Sequence, residues 1–257
     1  METGQRFKYK RELILAKKLV IKCYKQCTKK ANMDIKLKED KSLVSNIDVG
    51  LEKLLITNIK KAYEKDNFLT EETSNRTNLS DRTWVIDPID GTSFFIRNCP
   101  FYSVQLAFYD EGETQFSIIY LPKSHDMYVA IRGLGAFLND KKISKRKNDV
   151  SFKRCNVAVC GSPSKWDNEI TKIIEKIYNY EKHEYQSPKF LLINSSGYTY
   201  TLLASGAVDY FIETAKNKWD QLPGDLLAKE LSATCYDING AKIYSFCLQL
   251  DEFLSLQ

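Results

Sequence analysis

Residues 84–92 have the sequence Trp84-Val85-Ile86-Asp87-Pro88-Ile89-Asp90-Gly91-Thr92. The large apolar residues at its start predict a buried strand, which leads into a turn that proline stiffens and glycine makes permissive. The strand delivers two carboxylates, Asp87 and Asp90, followed by the backbone N–H groups of Gly91 and Thr92. Mg²⁺ prefers oxygen ligands and commonly binds carboxylates together with phosphate oxygens. The segment therefore predicts a combined cation and anion site, and an ordinary turn after a strand is the alternative.

Other acidic positions favour the metal-site interpretation through their order and their flanking residues. Glu71 and Glu72 follow an apolar pair, and Asp48 lies at the start of a helical pattern. Far downstream, Asp220 lies where a further helix is expected to begin. Each of these acids alone is more often a solvated surface residue than a ligand. Several carboxylates are nevertheless what a pair of close divalent cations, ~3.5–4 Å apart in known two-metal sites, requires.

In this order the segments resemble the motifs of the inositol monophosphatase family of Mg²⁺-dependent, lithium-sensitive phosphatases. That family shows a Glu-Glu pair, then a W-x-x-D-P-x-D-G-T block, then a late W-D-x-x-x-G block. The resemblance extends from about Lys10 to Gly240, nearly the whole chain. It implies a layered αβαβα sandwich of the inositol monophosphatase and fructose-1,6-bisphosphatase type. Hydrophobic periodicity alone supports only a mixed α/β (α+β) fold.

The resemblance also implies roles for individual residues, with Mg²⁺ as the cofactor, two or three ions, and Mn²⁺ as a possible substitute. The implied metal ligands are Glu71, Asp87, the backbone carbonyl of Ile89, Asp90 and Asp220. The implied catalytic residues are Thr92, Asp48 and Glu71. The implied substrate-binding residues are Asp90, Gly91, Thr92, Asn194, Ser195, Ser196, Glu213 and Asp220.

Three of these residues have simpler interpretations. Asp48 could be only the acid that a helix macrodipole favours in its first turn. Thr92 could be only a helix N-cap, a common use of threonine. Glu213 could be a surface acid at a strand end.

Several positions depart from the family pattern, and none of them is a predicted metal ligand. Asn194 replaces a glycine, Leu191 stands where arginine is frequent, and Ser93-Phe94 replaces Thr-Asn. Leu222-Pro223 and Ser232-Ala233 replace small residues. These changes leave the identity of the substrate open, whereas they do not affect the residues expected to carry the catalysis.

The predicted function is Mg²⁺-dependent hydrolysis of inositol 1-phosphate or a related sugar or polyol phosphate by metal-activated water. The alternatives within the superfamily are a 3′(2′),5′-bisphosphate nucleotidase, a histidinol-phosphate phosphatase and a fructose-1,6-bisphosphatase. A phosphatase-like protein that binds RNA or a transcription complex is a further alternative. An HD-type phosphohydrolase built on His125-Asp126 is disfavoured, because the chain has only two histidines.

Composition limits the class of protein. The 257 residues are 43% hydrophobic and 28% charged, which suits a globular domain, and no apolar run reaches the ~18–20 residues that cross a bilayer. We expect no membrane contact and a cytoplasmic protein, because seven cysteines lack a disulfide spacing and no secretory signal is evident. The lysine-rich N-terminal helix most simply has a solvated face, although it could steer anionic substrates or contact a nucleic acid.

Along the chain we expect a single phosphatase domain over residues 1–257. Its first half, about 1–150, is the metal-binding α+β half, and 151–257 is the α/β substrate-side half. Helices are predicted near 10–30, from Asp48, at 168–178, at 195–204 and at 222–231, and 34–41 is predicted to be a polar loop. The resemblance further implies a homodimer.

Overall fold

The structure is a computed structural model that describes residues 7–29, 33–38, 42–73, 78–145, 156–161, 166–180 and 189–246. The helices in these ranges are α1 (Lys10–Thr28), α2 (Asn46–Lys60), α3 (Thr92–Ile96), α4 (Asn168–Tyr180), α5 (Ser196–Ser205) and α6 (Lys218–Glu230). No helix within the described ranges combines the length and the apolar character that crossing a bilayer requires.

The strands form three sheets. A two-stranded sheet pairs β1 (Ile35–Leu37) with β2 (Leu43–Ser45). A seven-stranded sheet contains, in spatial order, β3 (Asn67–Thr70), β4 (Thr83–Asp90), β5 (Ser103–Asp110), β6 (Glu113–Leu121), β7 (Asp126–Ile131), β8 (Gly135–Leu138) and β9 (Lys141–Lys142). A five-stranded sheet has the order β11 (Lys189–Leu192), β10 (Asn156–Cys160), β12 (Tyr210–Glu213), β14 (Ala241–Ser245) and β13 (Thr234–Ile238).

The elements stack in five layers. Helices α1 and α2 cover one face of the seven-stranded sheet, and α5 and α6 pack between that sheet and the five-stranded sheet. Helix α4 covers the outer face of the five-stranded sheet, where Ile170 and Ile173 pack against Val157 and Ile212. This is the αβαβα sandwich that the family resemblance implied, so the predicted fold class is confirmed.

The outer helices form because their apolar residues recur every three or four positions. In α1, Leu13, Ala16, Val20 and Cys23 are buried, and the lysines occupy the opposite side. Helix α2 begins at a capping box, in which Ser45 and Asp48 satisfy each other's backbone N–H groups. Both helices occur where the periodicity predicted them.

Strand β4 is buried along its full length. Buried parallel and central strands carry continuous apolar runs rather than alternating patterns, which explains Trp84-Val85-Ile86. Because β4 lies between β3 and β5 and beneath α2 and α6, its carboxyl end is surrounded by four other elements. Asp87 and Asp90, two of the predicted site residues, lie at this end.

Three parts of the sequence-based prediction need correction. The segment 34–41 was expected to be a loop, but Ile35–Leu37 forms an exposed strand, because its backbone pairs with β2 rather than because its side chains are buried. Helix α6 begins at Lys218, not at Leu222, since Gln221 N donates to Asn217 O (3.1 Å) and closes a turn before Pro223. No strand was predicted for β2, β3, β9, β11, β13 or β14.

Candidate active site

Strand β4 brings Asp87 and Asp90 to the same place through an irregularity in its pairing. Residues three apart on a regular strand point to opposite faces. The register of β4 against β5 shifts between Asp87 and Asp90, as at a β-bulge, and such a shift re-aims side chains. Both carboxylates therefore serve one site instead of two faces.

Helix α6 supplies the third carboxylate from its first turn. Oxygen atoms of Asp87, Asp90 and Asp220 all lie within 4.8 Å of one another. Asp220 Oδ2 accepts a hydrogen bond from Asn217 Nδ2 at 3.0 Å. Three acids from two distant parts of the chain thus converge on one point.

Glu71 lies beside these three acids, at the end of β3. Its backbone N–H donates to Ile86 O (3.2 Å), which continues the parallel pairing of β3 with β4. Its side chain contacts Asp87, and its Oε1 forms an ion pair with Lys38 Nζ at 2.8 Å. Lys38 also pairs with Glu72 at 2.7 Å. Lys38 was not identified from the sequence, because only the pairing of β1 with β2 brings it to the site.

The electrostatics of the site follow from burial and from mutual repulsion. Burial raises the pKa of Asp87 well above its usual range, and the nearby charges of Glu71, Asp90 and Asp220 add to the effect. Burial, followed by repulsion from Asp90 and Glu71, raises the pKa of Asp220 to about 8. The acids repel one another without enough internal positive charge, so the cluster is suited to cations.

Asp90 is held by four hydrogen-bond donors. Its Oδ2 accepts from Ser103 Oγ (2.9 Å), Ser195 Oγ (2.6 Å) and Gly197 N (2.9 Å), and its Oδ1 accepts from Ser196 N (2.8 Å). Burial raises the pKa of Asp90, and the bonds from Ser195 and Ser103 oppose that rise. Asp90 therefore joins β4 to the start of α5 while leaving lone pairs on Oδ1.

Thr92 and Asp48 form a connected pair beside the carboxylates. Thr92 Oγ1 lies 3.0 Å from Asp48 Oδ1 and 3.0 Å from Ile89 O, and it can donate its hydrogen bond to either oxygen. Burial raises the pKa of Asp48, whereas hydrogen bonds from Ser45 and Thr92 lower it. Thr92 is the first residue of α3 and Gly91 is its N-cap, so the simple N-cap interpretation of Thr92 does not apply.

Gly91 must be glycine for two reasons. Its φ of 86° lies in the left-handed region that side chains rarely adopt. A Cβ there would also lie 2.9 Å from Phe101 O and 2.9 Å from Ser195 Cβ. The close approach of α5 to this turn therefore depends on the absence of a side chain.

The predicted substrate-binding residues occupy different positions. Ser195 and Ser196 are buried at the start of α5 and bind Asp90, whereas Asn194 is exposed. Glu213 is fully buried at the end of β12, so it is not a surface acid. Its Oε1 accepts from Ala215 N (2.8 Å), and its buried Oε2 has no hydrogen-bond partner within the described ranges.

The donor set at this point fits divalent metal ions. Every candidate side-chain ligand offers a carboxylate oxygen, the donor that hard divalent cations prefer. Asp87 Oδ1 is buried and has no hydrogen-bond partner in the described part of the chain, which is a costly state for a carboxylate unless a cation completes it. The residues therefore suit a metal centre at the carboxyl end of β4.

The layered fold and the carboxylate cluster define a metal-dependent phosphatase that hydrolyses phosphate monoesters. The sequence model of the inositol monophosphatase family matches residues 6–254. The chain belongs to the inositol monophosphatase family, as its motifs indicated.

Individual relatives differ in their names. The chain is 31% identical over 211 residues to a Nus factor SuhB of Pasteurella multocida, covering 81% of this chain and 76% of that protein. It is 29% identical over 219 residues to human inositol monophosphatase 1, covering 82% and 77%. An IMPase/NADP phosphatase solved with Mg²⁺ and phosphate has the same fold, with a TM-score of 0.79 at 21% identity, covering 96% and 95%.

Proposed function

We propose that this protein is a Mg²⁺-dependent phosphatase that acts on inositol 1-phosphate or a related sugar or polyol phosphate. The observation that carries the proposal is the convergence of Asp87, Asp90 and Asp220 within 4.8 Å. The related phosphatase solved with Mg²⁺ and phosphate supports the choice of metal. Two or three Mg²⁺ ions, replaceable by Mn²⁺, would occupy the site.

The metal ligands in this proposal are those that the sequence suggested. Glu71, Asp87 and the carbonyl of Ile89 would hold one ion, and Asp87, Asp90 and Asp220 would hold a second. Bound ions would lower the pKa of water and neutralise charge that develops on the phosphate and the leaving oxygen. Glu71 Oε1 also accepts from Lys38 Nζ (2.8 Å), so an ion bound at that oxygen would share it with the ammonium group or displace that group.

The other residues orient the water and the phosphate. Thr92 Oγ1 can give its proton to Asp48 and accept one from the attacking water. The water oxygen forms the new bond to phosphorus while the bond to the leaving oxygen breaks, and the leaving alkoxide takes up a proton from solvent. The N–H groups of Gly91 and Thr92 would cradle the phosphate oxygens, as backbone amides commonly do.

A polyol suits the substrate side of the site. Glu213 Oε2, which is buried and unpartnered in the described part of the chain, can accept a hydrogen bond from a substrate hydroxyl. Ser196 adds a hydroxyl at the start of α5, 3.6 Å from Cys160 Sγ. Asn194, exposed just before α5, would lie along the substrate. A buried acceptor left empty is costly, so Glu213 favours substrates that carry a hydroxyl near the phosphate.

The chain would act as one phosphatase domain, because Asp90 of the first half is bound by residues of the second. We further propose a cytoplasmic homodimer that lithium inhibits, as the family resemblance implies. The described cysteines are free thiols, which suits a reducing compartment. Light scattering during gel filtration would measure the number of subunits.

A role in a transcription complex is the second candidate, because one relative is named a Nus factor. The variant Asp87→Asn distinguishes the catalytic role from the role in a transcription complex. A purely catalytic role predicts that hydrolysis is lost. A binding role predicts that a transcription partner still associates with this variant, and both roles can coexist.

The deciding experiment is a screen of phosphate monoesters with Mg²⁺, with and without Li⁺. The panel includes inositol 1-phosphate, fructose 1,6-bisphosphate, histidinol phosphate, a 3′,5′-bisphosphate nucleotide and NADP. We expect the highest kcat/KM for a polyol phosphate, together with inhibition by Li⁺. If the protein prefers the nucleotide or histidinol phosphate, that compound takes the place of the polyol phosphate as the proposed substrate. If none of the esters is hydrolysed, the proposal is overturned.

A further inference from the structure

Glu52 is a buried carboxylate that the proposed mechanism does not use. It lies on α2 and has no solvent-exposed surface. Burying a carboxylate is costly unless hydrogen bonds replace its lost water. The position of Glu52 therefore depends on what its two oxygens bind.

Among the described residues, three hydrogen bonds to Glu52 come from the segment that carries Glu71. Its Oε1 accepts from Thr70 Oγ1 at 2.9 Å and from Thr73 Oγ1. Its Oε2 accepts from Glu72 N at 2.8 Å. The carboxylate thus holds the chain on both sides of Glu71.

The Glu71 segment depends on this contact because the sheet ends there. Strand β3 stops at Thr70, and residues 71–73 form a turn. The bond from Glu71 N to Ile86 O is the last that continues the strand pairing. After that bond, the three hydrogen bonds to Glu52 hold the backbone of this turn in place.

Helix α2 also carries Asp48, which binds Thr92. Asp48 and Glu52 are four residues apart and therefore lie on the same face of the helix. One rigid helix thus contacts both the Thr92 corner and the Glu71 turn. It sets the separation between the residue proposed to orient water and a residue proposed to bind the metal.

We infer that Glu52 is a positioning residue, which fixes Glu71 for metal binding by holding the turn from Thr70 to Thr73. The inference rests on the proposed metal site but concerns a residue outside it. Residues behind metal ligands typically change metal affinity by about 10–100-fold when they are replaced. Glu52 should act on affinity for the ion more than on the rate at saturating metal.

The test compares Glu52→Leu with a matched control, Glu230→Leu. Leucine fills a similar volume and removes every acceptor. Glu230 is a suitable control because its Oε1 and Oε2 accept from Gly133 N (2.8 Å) and Gly135 N (2.9 Å), at the far end of α6 from Asp220. Titration calorimetry with Mg²⁺ alone, on the full chain freed of metal, measures the dissociation constant without any substrate.

We expect Glu52→Leu to weaken Mg²⁺ binding by about 10–100-fold and Glu230→Leu to leave it unchanged. With a hydrolysed ester, the Mg²⁺ concentration for half-maximal rate should rise while kcat at saturating Mg²⁺ recovers. Glu52→Gln, which keeps one acceptor oxygen, should fall between the parent and leucine. A folded Glu52→Leu protein that binds Mg²⁺ like the parent overturns the inference.

If Glu52→Leu does not fold, Thr73→Val and Thr73→Ser decide the question. Valine removes the hydroxyl that contacts Glu52, and serine keeps it. Weaker Mg²⁺ binding in the valine variant alone supports positioning through this contact, and equal binding in both overturns it. Because no substrate is present, failure to hydrolyse any ester would contradict the proposed function without affecting this result.

Discussion

The two ends of strand β4 treat buried acids in opposite ways. At its start, Asp66 accepts from Arg82 Nε (2.7 Å), Arg82 Nη2 (2.9 Å) and Trp84 Nε1 (2.8 Å). At its end, Asp87 faces Glu71, Asp90 and Asp220, and one of its oxygens has no partner in the described ranges. The first arrangement is complete within the chain, and the second lacks positive charge.

The difference separates acids that the chain itself neutralises from acids that are suited to bind cations. Arg82 also reaches Glu12 at 3.2 Å, and its pKa is raised, chiefly by its hydrogen bonds to Asp66. At the other end, Lys38 is the cation seen to pair with the acids, and it binds Glu71 and Glu72 rather than Asp87. Burial alone therefore does not identify a site, whereas burial with unbalanced charge does.

The largest expected effect is that of Asp87→Asn. Loss of a ligand shared by both proposed ions should lower kcat/KM by about a thousandfold or more. The fold should persist, because the amide relieves repulsion from Glu71 and Asp220. Steady-state kinetics and circular dichroism measure the two effects. Activity equal to that of the parent would contradict the assignment of Asp87.

Thr92→Val should have the next largest effect. Removing the hydroxyl that bridges Asp48 and the water should reduce kcat by about 100-fold, the usual scale of general acid–base assistance. Mg²⁺ affinity should stay near that of the parent, and Thr92→Ser should recover most of the rate. If valine proved as fast as threonine, the hydroxyl would have no part in the reaction.

Asp66→Asn should show the contrasting behaviour at the start of β4. Weakening the charged bonds to Arg82 should cost about 1–3 kcal/mol of the free energy of unfolding. Activity per folded molecule should be unchanged, since Asp66 lies at the opposite end of the strand. Urea unfolding and active-site kinetics on the same sample measure both. A selective loss of kcat would show that the two ends are coupled.

The smallest expected effect is a dependence of stability on pH. Burial and repulsion raise the pKa of Glu72 to about 7 and that of Asp220 to about 8 in the folded, metal-free chain. These groups hold protons more tightly than in the unfolded chain, so their stabilising contribution is present at low pH and is lost as pH rises through these values. Metal-free protein should therefore have a lower Tm near pH 9 than near pH 6.

Mg²⁺ should counter this loss, because it binds the deprotonated carboxylates. The rise in Tm on adding Mg²⁺ should thus be larger near pH 9 than near pH 6. Scanning fluorimetry with EDTA or Mg²⁺ at each pH provides the measurement. In Asp66→Asn, the same pH profile should recur at lower Tm. A metal-free Tm that rises between these pH values would contradict the described electrostatics.

Local sequence predicted the central part of the site well. The order Asp87-Pro88-Ile89-Asp90-Gly91-Thr92 encodes its own geometry through a rigid proline and a glycine with positive φ. Periodicity predicted α1 and α2 because their apolar faces pack on the sheet. In both cases the determining interactions are local or depend only on hydrophobic pattern.

Long-range contacts could not be predicted in this way. Lys38 reaches Glu71 from the end of β1, an exposed strand whose residues show no burial pattern. Ser103 reaches Asp90 only through the register of β5 on β4. Strand β13 was missed because much of it is exposed and polar. The family resemblance predicted the candidate ligands, but not the side chains that hold those residues in place.

The four bonds around Asp90 have a consequence for the timing of synthesis. Three of its donors lie more than a hundred residues further along the chain, in Ser195, Ser196 and Gly197. A nascent polypeptide that has left the ribosome only as far as β9 has Asp87 and Asp90, but of the four donors to Asp90 it has only Ser103. Catalytic competence is therefore acquired late in translation, after α5 and α6 have emerged and docked.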